Sequence, residues 1–202
     1  MGNGNKVEFF VAICALFSSI IAIWVAWDQS RVMRAQQDGM VFPVLQINGF
    51  VSTEEDNVSM GVNIENSGVG PALIESVRAY DNGKLVDSLE PYRASLAPGY
   101  NISWAGLTGR AVAPGNEFDA ISLEWPRGKI TQTQLNTAVL AWGELDVEIC
   151  YCSVFQKCWI TNMQTVRAKA VDACEPSPKD IFEEFGMARV SAPLEPTKEA
   201  SQ

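Results

Sequence analysis

The sequence predicts a mainly β protein, a β-sandwich preceded by one N-terminal transmembrane helix. Two observations carry this prediction. Residues 9–27 form an unbroken apolar stretch that contains no charged residue. From residue 41 onward, short segments rich in Val, Ile and aromatic residues are separated by Gly, Asn, Asp and Pro. Many short strands at about ten-residue spacing, with Pro-Gly turns between them, are typical of a sandwich.

The apolar stretch 9–27 is long enough to cross a membrane, because a hydrocarbon core of ~30 Å needs ~20 helical residues. Trp24 and Trp27 lie at its C-terminal edge, where indole rings suit the headgroup region, and Arg31 and Arg34 follow. A cleaved signal peptide would end in small residues, and a buried core helix would show a polar face. This stretch has neither feature, so we expect an uncleaved signal anchor.

The composition along the chain predicts five regions. Residues 28–39 contain strong helix formers and no proline, so the anchor helix should continue as a stalk that ends near Gly39. Residues 175–202 are rich in proline and in small polar or charged residues, which is typical of disorder. The regions are a short flank at 1–8, a transmembrane helix at 9–27, a helical stalk at 28–39, the β domain at 40–174 and a mostly disordered tail at 175–202, with a helical turn at 180–185.

Within the β domain, Asn82-Gly83 is the strongest hairpin signal and joins two predicted strands. In residues 130–142, Leu135, Val139 and Trp142 would share one helical face, so we expect a short helix there. The predicted strands cover 41–50, 58–66, 72–81, 84–89, 100–107, 118–125, 145–153 and 158–171.

The run Asn66-Ser67-Gly68-Val69-Gly70-Pro71-Ala72 predicts a tight turn. Glycine supplies positive φ or space for close backbone approach, Asn66 can hydrogen-bond nearby backbone, and Pro71 fixes φ where the next strand begins. A phosphate-binding glycine loop would lead into a helix. Residues 72–81 instead continue a strand pattern, which favours a structural turn.

The order of anchor helix, Arg-bearing stalk, Pro with an apolar strand, and the Asn-x-Gly-x-Gly-Pro-Ala turn resembles a set of uncharacterised bacterial single-pass membrane proteins. The aromatic hairpin at 151–155 adds to the likeness, which covers most of residues 9–165. The resemblance implies a bacterial origin and a small immunoglobulin-like β-sandwich outside the membrane. Such relatives have no established activity, so the resemblance implies no catalytic residue and no cofactor.

Four cysteines cluster in the last third of the chain, and Cys14 lies inside the apolar stretch. In the hairpin predicted at 145–171, Cys152 and Cys158 would face each other, close enough for a disulfide. Cys150 lies on the same strand face and would then reach Cys174. This pairing is the one that we favour.

Two other states of these cysteines remain open at this point. The cysteines could be reduced, or they could serve metal or redox chemistry, although zinc sites usually use two Cys-x(2–4)-Cys pairs and redox sites use Cys-x-x-Cys. Disulfides imply an oxidising compartment and therefore a periplasmic domain. The helix flanks, with Lys6 on one side and Arg31 and Arg34 on the other, lean toward a cytoplasmic domain instead.

Charge and composition argue against two function classes. The net charge of −9 and the pI near 4.5 oppose nucleic-acid binding. The chain contains no histidine, so Ser-His-Asp and Cys-His catalysis cannot occur within it. The acidic residues at 54–56 are adjacent in a predicted turn, which indicates a solvent-exposed turn and not a catalytic or metal site. We therefore expect a non-enzyme with no cofactor and no metal site.

These observations predict a single-pass protein of the bacterial inner membrane that is a non-catalytic binding or structural module. We expect it to act through protein–protein contacts in a membrane assembly, with another protein or with a second copy of itself. One alternative is a sensor or defence component that recognises an envelope or phage ligand. The other alternative is a thiol redox or metal-binding protein that uses the cysteine cluster.

Overall fold

The computed structural model describes residues 4–177 and 179–185 and divides the chain into two units, Met1–Met40 and Val41–Gln202. The first unit is one helix, α1 (Gly4–Met40). It has the length and composition of a membrane span, with a mean hydropathy of 2.5 and none of the apolar window buried. Ser18 and Ser19 donate their hydroxyl hydrogens to the carbonyls of Cys14 and Leu16, so both polar groups are satisfied within the helix.

The second unit contains ten strands and two helices among the described residues. In chain order these elements are β1 (Leu45–Thr53), β2 (Asn57–Asn66), β3 (Ala72–Asp81), β4 (Lys84–Val86), α2 (Glu90–Ala94), β5 (Asn101–Trp104), β6 (Ala111–Val112), β7 (Glu117–Pro126), α3 (Gln132–Gly143), β8 (Leu145–Cys152), β9 (Cys158–Asn162) and β10 (Lys169–Val171).

The strands form two antiparallel sheets. The first has the order β1-β2-β7-β5, and the second has the order β10-β9-β8-β3-β4, with β6 also paired to β3. The prediction of a mainly β protein with one long apolar N-terminal helix is confirmed. The turn at Asn82-Gly83 has positive φ at both residues, as a tight hairpin between β3 and β4 requires.

Alternating strands bury one face of each sheet in a common core. On β2, Val62 and Ile64 are buried, and on β8, Val147 and Ile149 are buried in the same apolar cluster. A smaller cluster forms around Trp125, whose indole N–H donates to the carbonyl of Ala97 at 2.9 Å.

Helix α3 forms where the apolar spacing predicts it. Thr131 caps its first turn by accepting from the Gln134 N–H at 3.3 Å, while the Gln134 side chain accepts from the Thr131 N–H at 2.9 Å. Leu135 and Ala138 then face the smaller cluster of the core.

Four predicted strands have clearly different limits, and one of them, predicted at 100–107, is observed only at Asn101–Trp104. Strand β1 begins at Leu45, because residues 41–44 lie against the Asn66 turn instead. The predicted strand at 84–89 ends at Val86 and is followed by the short helix α2, which starts with Glu90-Pro91 and was not predicted. The predicted strand at 158–171 is two strands, since the Asn162 side chain accepts from the Thr165 N–H at 2.8 Å and turns the chain.

The domain boundary predicted at residue 174 is wrong. Ile181, Phe182 and Phe185 are each no more than 5 % exposed and belong to the main core cluster. The buried carboxylate of Asp180 accepts from the backbone N–H groups of Thr108 and Phe182, at 2.9 and 3.0 Å. The predicted helical turn at 180–185 is therefore an integral part of the fold, and the rest of the predicted tail, 186–202, lies outside the described residues, as do residues 1–3 of the predicted flank.

Candidate functional site

The cysteine hairpin is formed by β8 and β9, which pair with Cys152 directly opposite Cys158. Its tip, residues 153–157, is closed by the Ser153 N–H, which donates to the Lys157 carbonyl at 2.8 Å. The Gln156 N–H donates to the Ser153 carbonyl at 2.9 Å, and Gln156 itself has a φ of 60°. The tip is therefore a tight, internally hydrogen-bonded turn.

Two disulfides lock this hairpin. Cys152 is bonded to Cys158 across the strand pair, with the two Cα atoms 4.0 Å apart. Cys150 is bonded to Cys174, with the Cα atoms 5.7 Å apart, and so ties the hairpin to the C-terminal segment. These are the two pairings that the hairpin geometry favours in the sequence. Cys14, in α1, is the one free cysteine among the described residues.

The sulfur atoms of the two disulfides lie close together, with Cys152 Sγ 3.7 Å from Cys174 Sγ. Cys152, Cys158 and Cys174 thus have the proximity of a metal-binding group. Zinc binds thiolates, however, and each of these sulfurs is already bonded to another sulfur. In this oxidised form the four cysteines are two structural disulfides and offer no thiolate ligand.

Two apolar side chains project at the tip of the hairpin. Val154 is 48 % exposed and Phe155 is 51 % exposed. Between them and the strands, Ser153 is buried, and its hydroxyl oxygen accepts from the Phe155 N–H at 3.3 Å. In the sequence, Val154 and Phe155 contribute only to a family resemblance. An aromatic residue placed between two cysteines in a short turn is the signal that could have identified this tip.

The base of the hairpin is packed with aromatic rings. The Trp159 ring lies 5.9 Å from the ring of Tyr151 and 5.0 Å, edge-on, from that of Phe42. The Tyr151 hydroxyl accepts from the Leu45 N–H at 3.4 Å. Burial raises the pKa of Tyr151, and this hydrogen bond only partly opposes the rise. The phenol therefore stays neutral and structural, and the hairpin rests on a rigid base.

The predicted turn residues form a second organised site. Asn66 is fully buried, and its side chain uses all of its hydrogen-bonding capacity. Its Oδ1 accepts from the N–H groups of Val44 and Gly68, at 3.2 and 3.0 Å. Its Nδ2 donates to the carbonyls of Gly70 and Val112, at 2.8 and 2.9 Å. Asn66 thus joins the start of the domain to both sheets.

Close backbone approach explains the two glycines of this turn. A Cβ atom at Gly68 would lie 2.4 Å from the Val44 nitrogen, and one at Gly70 would lie 2.1 Å from the Val41 carbonyl oxygen. Neither glycine belongs to the residues with positive φ among the described part of the chain. Pro71 then leads into β3, so the run acts as a structural turn and not as a helix-opening phosphate loop.

The remaining predicted site residues lie on α1, in the first unit. Trp24 and Trp27 are each 70 % exposed, and Arg31 and Arg34 are exposed on the following turns of the same continuous helix. This arrangement matches the surface that a membrane interface would contact.

Comparisons with known proteins add little to this geometry. No protein-family description and no curated protein matches the sequence. One matching solved structure is a crystal structure of a protein from Archaeoglobus fulgidus, with 16 % sequence identity over 63 % of this chain and 89 % of that one. Its TM-score of 0.17 is too low to inform either fold or function.

Proposed function

We propose that this chain is a membrane-anchored, non-catalytic binding module that acts through protein–protein contacts in a membrane assembly. The observation that carries the proposal is the pair of half-exposed apolar side chains, Val154 and Phe155, on a hairpin closed by two disulfides. An aromatic anchor that fills a pocket of the partner is the usual source of binding energy at such contacts.

Rigidity makes this tip suited to binding. Ordering a loop on association opposes binding, and a loop that is already held in one conformation avoids that loss. Three hydrogen bonds within residues 153–157 and the Cys152–Cys158 disulfide restrict the tip before any partner arrives. The partner is a second protein or a second copy of this chain.

The anchor and its location are part of the proposal. Helix α1 is long and apolar enough to span a bilayer, and we assign it to the bacterial inner membrane as a single pass. All four cysteines outside α1 are paired, which favours an oxidising compartment and so a periplasmic domain. Thiol alkylation in intact and in lysed cells, without reductant, tests the periplasmic location. Free thiols that react in lysed cells but not in intact cells would place the domain in the cytoplasm.

We also propose that the β domain is an immunoglobulin-like sandwich. In immunoglobulin constant domains one sheet has the strand order ABED and the other contains C, F and G. The order β1-β2-β7-β5 in the first sheet and β3-β8-β9 in the second corresponds to that arrangement if β1 is strand A. Such domains commonly present binding residues on the loops that join strands, and the tip at 153–157 is the loop between F and G.

Site-specific photo-crosslinking in living cells tests the contact. A photoreactive residue at position 155 should give one discrete adduct of higher mass, whereas the same residue at position 166 should not. Val166 is the matched control, since it is 99 % exposed and lies on a different loop. An adduct with the mass of two chains would identify a second copy as the partner.

Two aspartates at the tip provide the complementary test. Val154→Asp with Phe155→Asp should abolish the adduct formed from a neighbouring position such as 156, because charge replaces the apolar contact. Both side chains are half exposed, so the fold and the disulfides should persist. Equal adduct yields from positions 155 and 166, or an adduct unaffected by the aspartates, would contradict the proposal.

A further inference from the structure

An apolar cavity of about 260 Å³ lies between the two sheets of the β domain. One wall is formed by Met60 and Val62 of β2, and the facing wall by Ala79 of β3 and Val147 of β8. Helix α3 contributes Trp142 to the lining. Protein interiors are close-packed, so a void of this size inside a small domain requires an explanation.

The lining of this cavity is chemically uniform. Each of its sixteen lining residues is apolar or glycine. One polar side-chain atom belongs to the lining residues, the indole Nε1 of Trp142. It is buried and has no hydrogen-bond partner among the described residues. Buried donors in folded proteins normally have a partner, but this atom has almost no accessible surface, so the side-chain surface that a ligand would contact in the cavity is apolar.

The cavity opens to solvent at one end of the domain. Along β1, Leu45 and Ile47 point into the core and are buried, but Val51, in the same alternation, is 50 % exposed. The lining residues Gly49 and Gly143 are exposed as well. Since β1 is the edge strand of its sheet, a ligand could enter beside its free edge.

The size of the cavity sets the size of the ligand. A cavity of ~150 Å³ is enough to hold benzene, and drug-sized ligands occupy pockets from ~300 Å³ upward. The present cavity falls between these limits. Met60 and Met163 line it, and unbranched methionine side chains can adjust to a flexible ligand.

We propose that this cavity binds a fatty acyl chain. The hydrocarbon occupies the apolar interior, and its carboxyl or ester group stays at the open end beside Val51, where water can solvate it. A ligand with several polar groups would leave most of them without partners, whereas an acyl chain has a single polar end. The chain can come from a free fatty acid or from a lipid. The lipid source rests on the membrane anchoring proposed above.

Photolabelling of the full chain in detergent-free lipid discs tests the proposal. Two probes are used, a diazirine-bearing decanoate and a phospholipid with the same diazirine on its acyl chain. We expect labelled peptides from β2 and from residues 139–147. Unlabelled decanoate should reduce this labelling, whichever probe produces it. Labelling by the decanoate probe alone identifies a free fatty acid as the ligand source, and labelling by the phospholipid probe identifies a lipid.

Substitutions connect the label to the cavity. Ala79→Phe fills the interior and Val51→Trp obstructs the opening, so each should abolish labelling of these peptides. Val51→Trp changes a half-exposed position and covers the case in which Ala79→Phe does not fold. Val166→Trp, the same exchange on a fully exposed loop, is the matched control and should label like the unchanged protein.

A comparison of competitors tests the position of the polar end. Decanoate should compete with the probe, whereas decanedioate, which has a carboxylate at each end, should compete at least about tenfold less well, because one charged group would have to enter the apolar interior. Labelling confined to α1, or labelling of the β2 and 139–147 peptides that survives both Ala79→Phe and Val51→Trp, would overturn the proposal. Equal competition by decanedioate and decanoate would overturn the placement of the polar end at the opening.

Discussion

The β domain fastens its two ends by different chemistry. At the first end, residues 41–44 lie on the Asn66 turn, held by hydrogen bonds and by backbone contact with Gly68 and Gly70. At the last end, Cys174 is covalently joined to Cys150. Beyond it, the carboxylates of Asp180 and Glu184 accept backbone N–H groups.

The difference determines what each end tolerates. The Asn66 turn depends on atoms that approach so closely that a single added carbon has no space, but it does not depend on redox conditions. At the other end, the disulfide to Cys150 adds to the core packing of Ile181, Phe182 and Phe185 and, unlike that packing, it is lost under reducing conditions. The first end is therefore sensitive to shape alone, and the last end is sensitive also to the redox state of its compartment.

Gly70→Ala should give the largest effect. The new Cβ would lie 2.1 Å from the Val41 carbonyl oxygen, which is backbone and cannot rotate away. We expect the free energy of unfolding to fall by about 3 kcal/mol or more, as for severe overpacking, measured by urea denaturation. Gly143→Ala is the matched control, because nothing lies within 4 Å of its added Cβ and it should be close to neutral. Equal losses for both variants would mean that close approach does not explain Gly70.

Removal of the disulfides should give the next largest effects, and the two should differ. In the chain-entropy account, a bond that closes a longer loop contributes more. Cys150→Ala with Cys174→Ala opens a loop with a sequence separation of 24 and should lower the free energy of unfolding by about 3 kcal/mol. Cys152→Ala with Cys158→Ala opens a separation of 6 and should lower it by about 2 kcal/mol.

Two controls keep this comparison clear. Cys14→Ala removes the unpaired cysteine of α1 and should leave the unfolding of the β domain unchanged. Addition of a reductant should bring the unchanged protein and the Cys150–Cys174 variant closer in stability. A larger loss from the short loop than from the long one would show that native contacts around Cys152 and Cys158, and not loop closure, dominate.

The two ends also differ in how far the sequence reveals them. The Asn66 turn and the cysteine pairing could be predicted because both depend on local chemistry, namely glycine spacing and residues that face each other across a short hairpin. The burial of Ile181, Phe182 and Phe185 could not, since it depends on a space between distant strands. A proline-rich composition around these residues pointed to disorder, and tertiary packing overrode that local signal.

The candidate binding sites were less accessible to sequence analysis than the strands. The sequence predicts strands that contain Val62 and Val147, but it cannot show that the space between these two residues is only partly filled. Likewise, the sequence does not show that Phe155 is exposed, because its exposure depends on the hairpin that the Cys152–Cys158 disulfide closes. Both sites arise from what the packed sheets leave uncovered, which is a property of the whole domain.

The smallest expected effect concerns the last end and depends on pH. Burial alone would raise the pKa of Glu184, but hydrogen bonds from Ser88 and Leu89 and the charges of Lys179 and Arg93 outweigh it, so the pKa is lowered. The ionised carboxylate therefore stabilises the fold above the ordinary glutamate pKa of about 4.3, and this stabilisation is lost as the pH falls through the lowered value. Glu184→Gln should reduce the free energy of unfolding by about 1 kcal/mol at neutral pH, since it removes the charge from two hydrogen bonds.

Urea denaturation at several pH values measures this effect. The difference between Glu184→Gln and the unchanged protein should shrink once the pH is below the lowered pKa, because the unchanged side chain is then neutral as well. Glu183→Gln is the control next to it, and its exposed side chain should show a much smaller difference at neutral pH. A difference for Glu184→Gln that stays constant down to acidic pH would mean that the second acceptor oxygen, which the amide replaces with an N–H donor, and not the charge, holds residues 179–185 in place. The last end would then be fastened, like the first, by hydrogen bonds between uncharged groups.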